Sequence, residues 1–277
     1  MNLSSVIRRS VDLSLHRRSL WLFGFFVAGG GGGAALNAQT GTAGGHGGGG
    51  PIPLWVFALI AVGVVLALAS LVMHLASEGA LIDGVRRANA GEPTPVREEM
   101  RAGLHSATRI LGIKAAAFAA MLAAALVVAS PVALSLLRNG TPWLGLALTV
   151  PLAILFVPFF LSMRALQLIA MREAVLSGLG VRDALAKAFE FLHGRIADVL
   201  WLLVAEGVGT FAGNLAAGVV AVVLLLPAAL VWWLAGVVPA AILAGILLVP
   251  VALVWAAALG TWRSSLWTLA LLDERSA

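Results

Sequence analysis

The sequence contains no cysteine. Disulfides, thiolate nucleophiles and cysteine-ligated metals are therefore excluded, and the redox compartment leaves no mark on the chain. Charge is scarce as well. Asp, Glu, Lys and Arg make up 11% of the 277 residues, against 61% apolar. A soluble domain carries about 25% charged residues. A chain of this length could bury a large core, but it could not cover its outside with so little charge. The solvent around most of it is therefore lipid. The net charge of +5 does not indicate nucleic acid. The basic residues flank apolar runs, where they act as orientation signals and as contacts for anionic lipid headgroups.

Catalytic motifs are missing too. The glycine-rich stretch at 37–51, NAQTGTAGGHGGGGP, lacks the Gly-Lys-Ser/Thr ending of a phosphate-binding loop and does not sit between a strand and a helix. It reads as a flexible outer loop. No Gly-x-Ser-x-Gly elbow occurs. No two histidines stand at a metal-ligand spacing such as i, i+4. His16, His105 and His193 fall in amphipathic segments and read as solvated, His74 as interfacial, and His46 lies in the glycine loop. Phosphate chemistry would call for clustered acids around a metal. The adjacent pairs are Glu98 with Glu99 and Asp273 with Glu274, and both read as solvated faces of interfacial helices. The expectation is a non-enzyme without cofactor or metal.

What is present is a set of long apolar stretches. Spans are expected near 19–36, 53–76, 110–137, 143–163, 199–226 and 239–262, each near the roughly 20 residues a bilayer requires. The first is weak, because its second half is mostly Gly and Ala, and a cleaved signal peptide is its rival reading. Pro151 and Pro158 would kink the fourth. Pro95 can open a helix with Thr94 as its N-cap. Of the 18 Lys and Arg residues, only Arg138 falls outside the segments that this division assigns to one side. By the positive-inside rule both termini are cytoplasmic. Trp21, Trp201, Trp262 and Trp267 fall near the inner interface, and Trp55, Trp143, Trp232 and Trp233 near the outer one. The expected class is an all-α polytopic membrane protein with six spans, in a bacterial inner membrane.

A repeat organises the spans. Ala80-Leu81-Ile82-Asp83, Ala174-Val175-Leu176-Ser177 and Ala270-Leu271-Leu272-Asp273 follow the second, fourth and sixth spans. An amphipathic segment precedes each hairpin, at 6–18, 96–109 and 181–195. In the first, Val6 and Leu13 would face lipid while Arg8, Arg9, Arg17 and Arg18 face headgroups. The unit recurs at roughly 90 residues, giving a single transmembrane domain of three pseudo-repeated hairpins at about 1–90, 91–179 and 180–277. The entry helix running into RRSLWLFGFF, together with EGALIDGVRRANAGEPTPVREEMRAGL between the second and third spans, resembles the membrane domain attached to some glycerophosphodiester phosphodiesterases and its stand-alone six-span relatives. The catalytic domain of that family is a separate soluble barrel. No segment here reads as one, so the resemblance carries no catalytic residue.

Glu206 is the one formal charge between 199 and 262. Intramembrane acids are costly and face the bundle or a cavity. Gly209, Gly213 and Ala217 form a small-residue stripe on nearly the same helical face, which permits close packing, and Asn214 lies near it. Two readings of Glu206 follow: a proton- or cation-responsive group in a transport path, or a hydrogen-bonded packing residue. Lys114 is expected to snorkel to headgroups rather than to pair with Glu206. Headgroup contact is expected from Arg8, Arg9, Arg17, Arg18, Arg97, Arg101, Arg109, Lys114, Arg182, Lys187 and Arg195. The expected function is non-enzymatic: organising lipid or partner proteins at the cytoplasmic face through basic amphipathic helices. The alternatives are a small-solute transporter or channel using Glu206 and Asn214, or an accessory subunit contacting another membrane protein.

Overall fold

The computed structural model describes residues 3–17, 19–28, 54–93, 95–137 and 142–275. Among them lie eight helices and no strand: α1 Leu3–His16, α2 Ser19–Ala28, α3 Leu54–Asn89, α4 Val96–Leu137, α5 Pro142–Leu176, α6 Val181–Gly194, α7 Ile196–Ala235 and α8 Val237–Arg275. Five of them, α3, α4, α5, α7 and α8, are long and apolar enough to cross a membrane. They contain the second to sixth expected spans. Of the first, α2 covers ten residues, and the remainder lies outside the described residues, as do Arg18, His46, Thr94, Arg138 and the glycine loop.

The helices are longer than the spans, chiefly at the basic ends. Between 76 and 89 the sequence holds no proline, so α3 runs on through its charged exit. It stops where Gly91 takes φ +74°. There the Glu92 N–H bonds the Arg87 carbonyl at 2.9 Å and the Gly91 N–H bonds the Ala88 carbonyl at 3.2 Å, the paired bonds of a Schellman cap. Pro95 then stands one residue ahead of α4, and its carbonyl accepts from the N–H groups of Glu98 and Glu99. The second amphipathic entry is not a separate helix, because nothing between 96 and 137 breaks the ladder before Pro131. The first and third entries do end, at His16 and Gly194.

The chain divides into two compact units, residues 1–107 with 204–277, and residues 108–203. These boundaries differ from those of the sequence repeat, since helix packing rather than chain order sets them. In the first unit α2 packs on α8, α3 and α8 pack on each other, and α1 lies on α8. The close approaches rest on small residues. A Cβ at Gly24 would collide with the Ala257 carbonyl and the Thr261 hydroxyl, and one at Gly103 with the Ala76 carbonyl and, at 2.8 Å, the Ala80 nitrogen. Thr261 donates to the Ala257 carbonyl at 2.8 Å. On α1, Val6, Ser10 and Ser14 are buried. This i, i+4, i+8 stripe corrects the expectation that Val6 faces lipid, because helix packing claims it.

In the second unit α5 packs on α6. Ala184 and Ala188 form the inward face of α6, and Val181 closes over Gly112. Arg172 and Glu173 are buried. Arg172 Nη1 donates to the Leu168 carbonyl at 2.6 Å, and Glu173 takes Lys187 at 3.0 Å and the Ser177 hydroxyl at 3.2 Å.

Candidate functional site

Among the described residues of the first unit, two groups of polar side chains bear on the expected site residues. The first lies between α7 and α8. Glu206 is 3% exposed. Its Oε1 accepts from Arg263 Nε at 2.8 Å and Nη2 at 2.5 Å, and its Oε2 from Trp267 Nε1 at 2.9 Å. A guanidinium giving two N–H groups to one oxygen, with an indole N–H on the other, compensates a desolvated carboxylate. Glu206 thus joins α7 to α8 through Arg263 and Trp267.

The rest of the small-residue stripe faces the same helix. A Cβ on Gly209 would strike the Trp262 ring, and one on Gly213 would lie 2.9 Å from Trp255 Cζ2. Each glycine receives an indole. Ala217 lines an apolar groove of about 330 Å³ with Ala216, Val220, Pro250 and Trp255. Asn214 is exposed, and its Oδ1 accepts from Trp255 Nε1 at 3.4 Å. Glu206 and Asn214 therefore bind different residues of α8.

The second gathering lies at the α3–α4 turn. Asp83 Oδ1 takes Arg86 at 2.7 Å and its Oδ2 takes Arg87 at 2.9 Å. Arg87 reaches on to Glu98 at 2.8 Å. Glu98 is solvated, as expected, but Glu99 is not: it is 0% exposed. Adjacent residues on a helix point about 100° apart, so one carboxyl faces out and the next faces the core. Higher on α3, His74 Nδ1 lies 2.8 Å from the Phe26 carbonyl and Nε2 lies 3.4 Å from Glu78 Oε1. A carbonyl can only accept, so Nδ1 is the donor to Phe26, and Nε2 faces the Glu78 carboxylate. His74 is thus an internal link from α3 to α2.

The expected headgroup residues divide by exposure. Arg8, Arg9, Arg97, Arg101, Arg182, Lys187 and Arg195 are exposed, and Arg17, Arg109 and Lys114 are half-buried. Arg9 also pairs with Asp273 at 2.7 Å, so Arg9 and Lys187 fasten helices as well as carrying charge. Sequence reading missed Arg263 and Trp267 as partners of Glu206, and it missed the burial of Glu99. A signal existed for Arg263: it is the first charge after the last apolar span, at a membrane depth matching Glu206 in an antiparallel hairpin. For Glu99 the only signal was its angular offset from Glu98. Among the described residues no cluster of His, Cys, Asp and Glu is suited to a metal.

No family model, curated protein or solved structure matches this chain.

Proposed function

We propose that the chain is a non-enzymatic, multi-pass protein of a bacterial inner membrane with both termini cytoplasmic. Its basic amphipathic segments organise anionic lipid at the inner face. The observation that carries this reading is the outward side of α1. Val11 and Leu15 are 40% and 57% exposed and share a shallow groove with Arg8, Arg9 and Asp12. Apolar side chains beside guanidinium groups on one open face suit a helix lying among headgroups, with its apolar side chains in the acyl boundary. Arg97, Arg101 and Arg182 extend the same chemistry to α4 and α6. The transporter reading draws less support, because Glu206 is held by Arg263 and is separate from Asn214.

The test is lipid retention by native mass spectrometry from mixed anionic and zwitterionic vesicles. A basic residue near an anionic surface contributes about 1 kcal/mol. Changing Arg8, Arg97, Arg101 and Arg182 to Gln should lower the ratio of anionic to zwitterionic lipid retained severalfold. An unchanged ratio would remove the basis of the reading.

A further inference from the structure

Glu99 sits in the first turn of α4, ahead of the apolar stretch that begins at Ile110, and so outside the membrane-spanning part of that helix. Neither of its carboxylate oxygens has a hydrogen-bond partner. Its place is set by α2 and α3. A Cβ on Gly84 would lie 2.8 Å from Glu99 Oε1 and 2.7 Å from Leu20 Cδ2. The carboxyl therefore rests on the α3 backbone beside an apolar side chain, in space that exists because residue 84 is glycine.

The surrounding charges give Glu99 no direct ion pair. The charged groups acting on it are Asp83 and Arg87 of α3. Helix α2, which contributes Leu20, has no titratable side chain. Three carboxyls, those of Asp83, Glu98 and Glu99, stand near two guanidinium groups. Arg86 is spent on Asp83, and Arg87 bridges Asp83 and Glu98. A buried carboxylate with no hydrogen bond, whose nearest guanidinium is already shared between two other carboxylates, is unfavourable against the neutral acid.

We propose that Glu99 is a proton-binding site that makes the junction of α2, α3 and the start of α4 responsive to pH. With its proton the side chain fits against Gly84 and Leu20. Without it, the carboxylate must recruit water or take Arg87 from Glu98, and either change loosens the α3–α4 turn from which Arg97 and Arg101 project. Burial, with the nearby Asp83 charge, raises this carboxyl from the usual 4.5 to about 7, so the change falls in the neutral range. Because the folded value lies above the unfolded one, the added stability is complete below about 4.5, falls as pH rises to about 7, and stays lost above it. The inference concerns the folded junction and does not depend on lipid being the partner.

The test is hydrogen exchange of the full chain in nanodiscs, at about pH 5 and about pH 8, corrected for intrinsic rates and read on peptides covering 79–106. In the wild type, protection should fall about tenfold or more at the higher pH. Glu99→Gln, a mimic of the protonated form, should keep high protection at both. Glu98→Gln, which frees Arg87 to meet the Glu99 carboxylate, should shrink the wild-type difference. A wild type without a pH difference, or a Glu99→Gln variant that retains it, overturns the proposal. The infrared band of a protonated carboxyl gives a second readout on the same two chains. It should be present in the wild type near pH 6 and absent from Glu99→Gln; its presence in both overturns the assignment.

Discussion

The two halves of α3 follow opposite rules. From Trp55 to Val72 its side chains are almost all exposed; Leu66 is 64% exposed. From Leu75 to Ala88 they are almost all buried, and Leu81 is 0% exposed. The exposed half is the more apolar one, and no residue of its most apolar 18-residue window is buried. Helix α8 repeats the contrast: Val249, Leu253 and Val254 are exposed, whereas Leu266, Trp267 and Leu269 are buried. In water this arrangement would be inverted and unstable. In a bilayer it is consistent, since lipid tails solvate Leu as well as another helix does, and apolar burial there gives little drive to pack. Tight packing is concentrated in the charged ends, where water or headgroups supply the hydrophobic drive.

Substitutions can break or sharpen this contrast. Leu81→Ala, in the buried half, should cost about 3 kcal/mol or more, read as a fall in the thermal midpoint of the purified protein; a negligible shift would end the claim that this end is the core. Arg263→Ala leaves Glu206 buried without its counterion and should cost about 3 kcal/mol, at the low end of the range because Arg263 is itself partly exposed. Restoring an apolar pair with Glu206→Leu in the same chain should recover much of it, as a double-mutant cycle would report. Gly103→Ala forces α3 and α4 apart at the Ala76 carbonyl and should cost about 2 kcal/mol, with faster exchange of amides 76–80. Leu66→Ala, in the lipid-facing half, should change stability by less than about 0.5 kcal/mol. A large loss there would show that another chain, not lipid, covers this face.

The class of this protein was legible because hydropathy and charge position act over whole segments. Five of the six expected spans coincide with long helices, and the charge-poor run at 199–262 falls into α7 and α8, which meet at Gly236. The small-residue stripe was legible for the same reason, since a 3.6-residue period places Gly209, Gly213 and Ala217 on one face whatever they meet. Its counterpart was not, because nothing local says that Trp262 and Trp255 fill the glycine notches. The tryptophans show the same division. Trp55, Trp143, Trp232 and Trp233 are exposed, while Trp267 is drawn inside to Glu206.

The sequence by itself determined that the chain is helical and which segments are long and apolar enough to cross a membrane. These follow from composition and period, which need no partner. Only the tertiary structure decided which polar groups are spent on one another. Arg9 goes to Asp273, Arg263 to Glu206, Lys187 to Glu173, and Arg86 and Arg87 to Asp83, while Glu99 receives no hydrogen bond. Such pairings depend on the register between helices distant in sequence, and a one-residue rotation of about 100° separates a solvated carboxyl from a buried one.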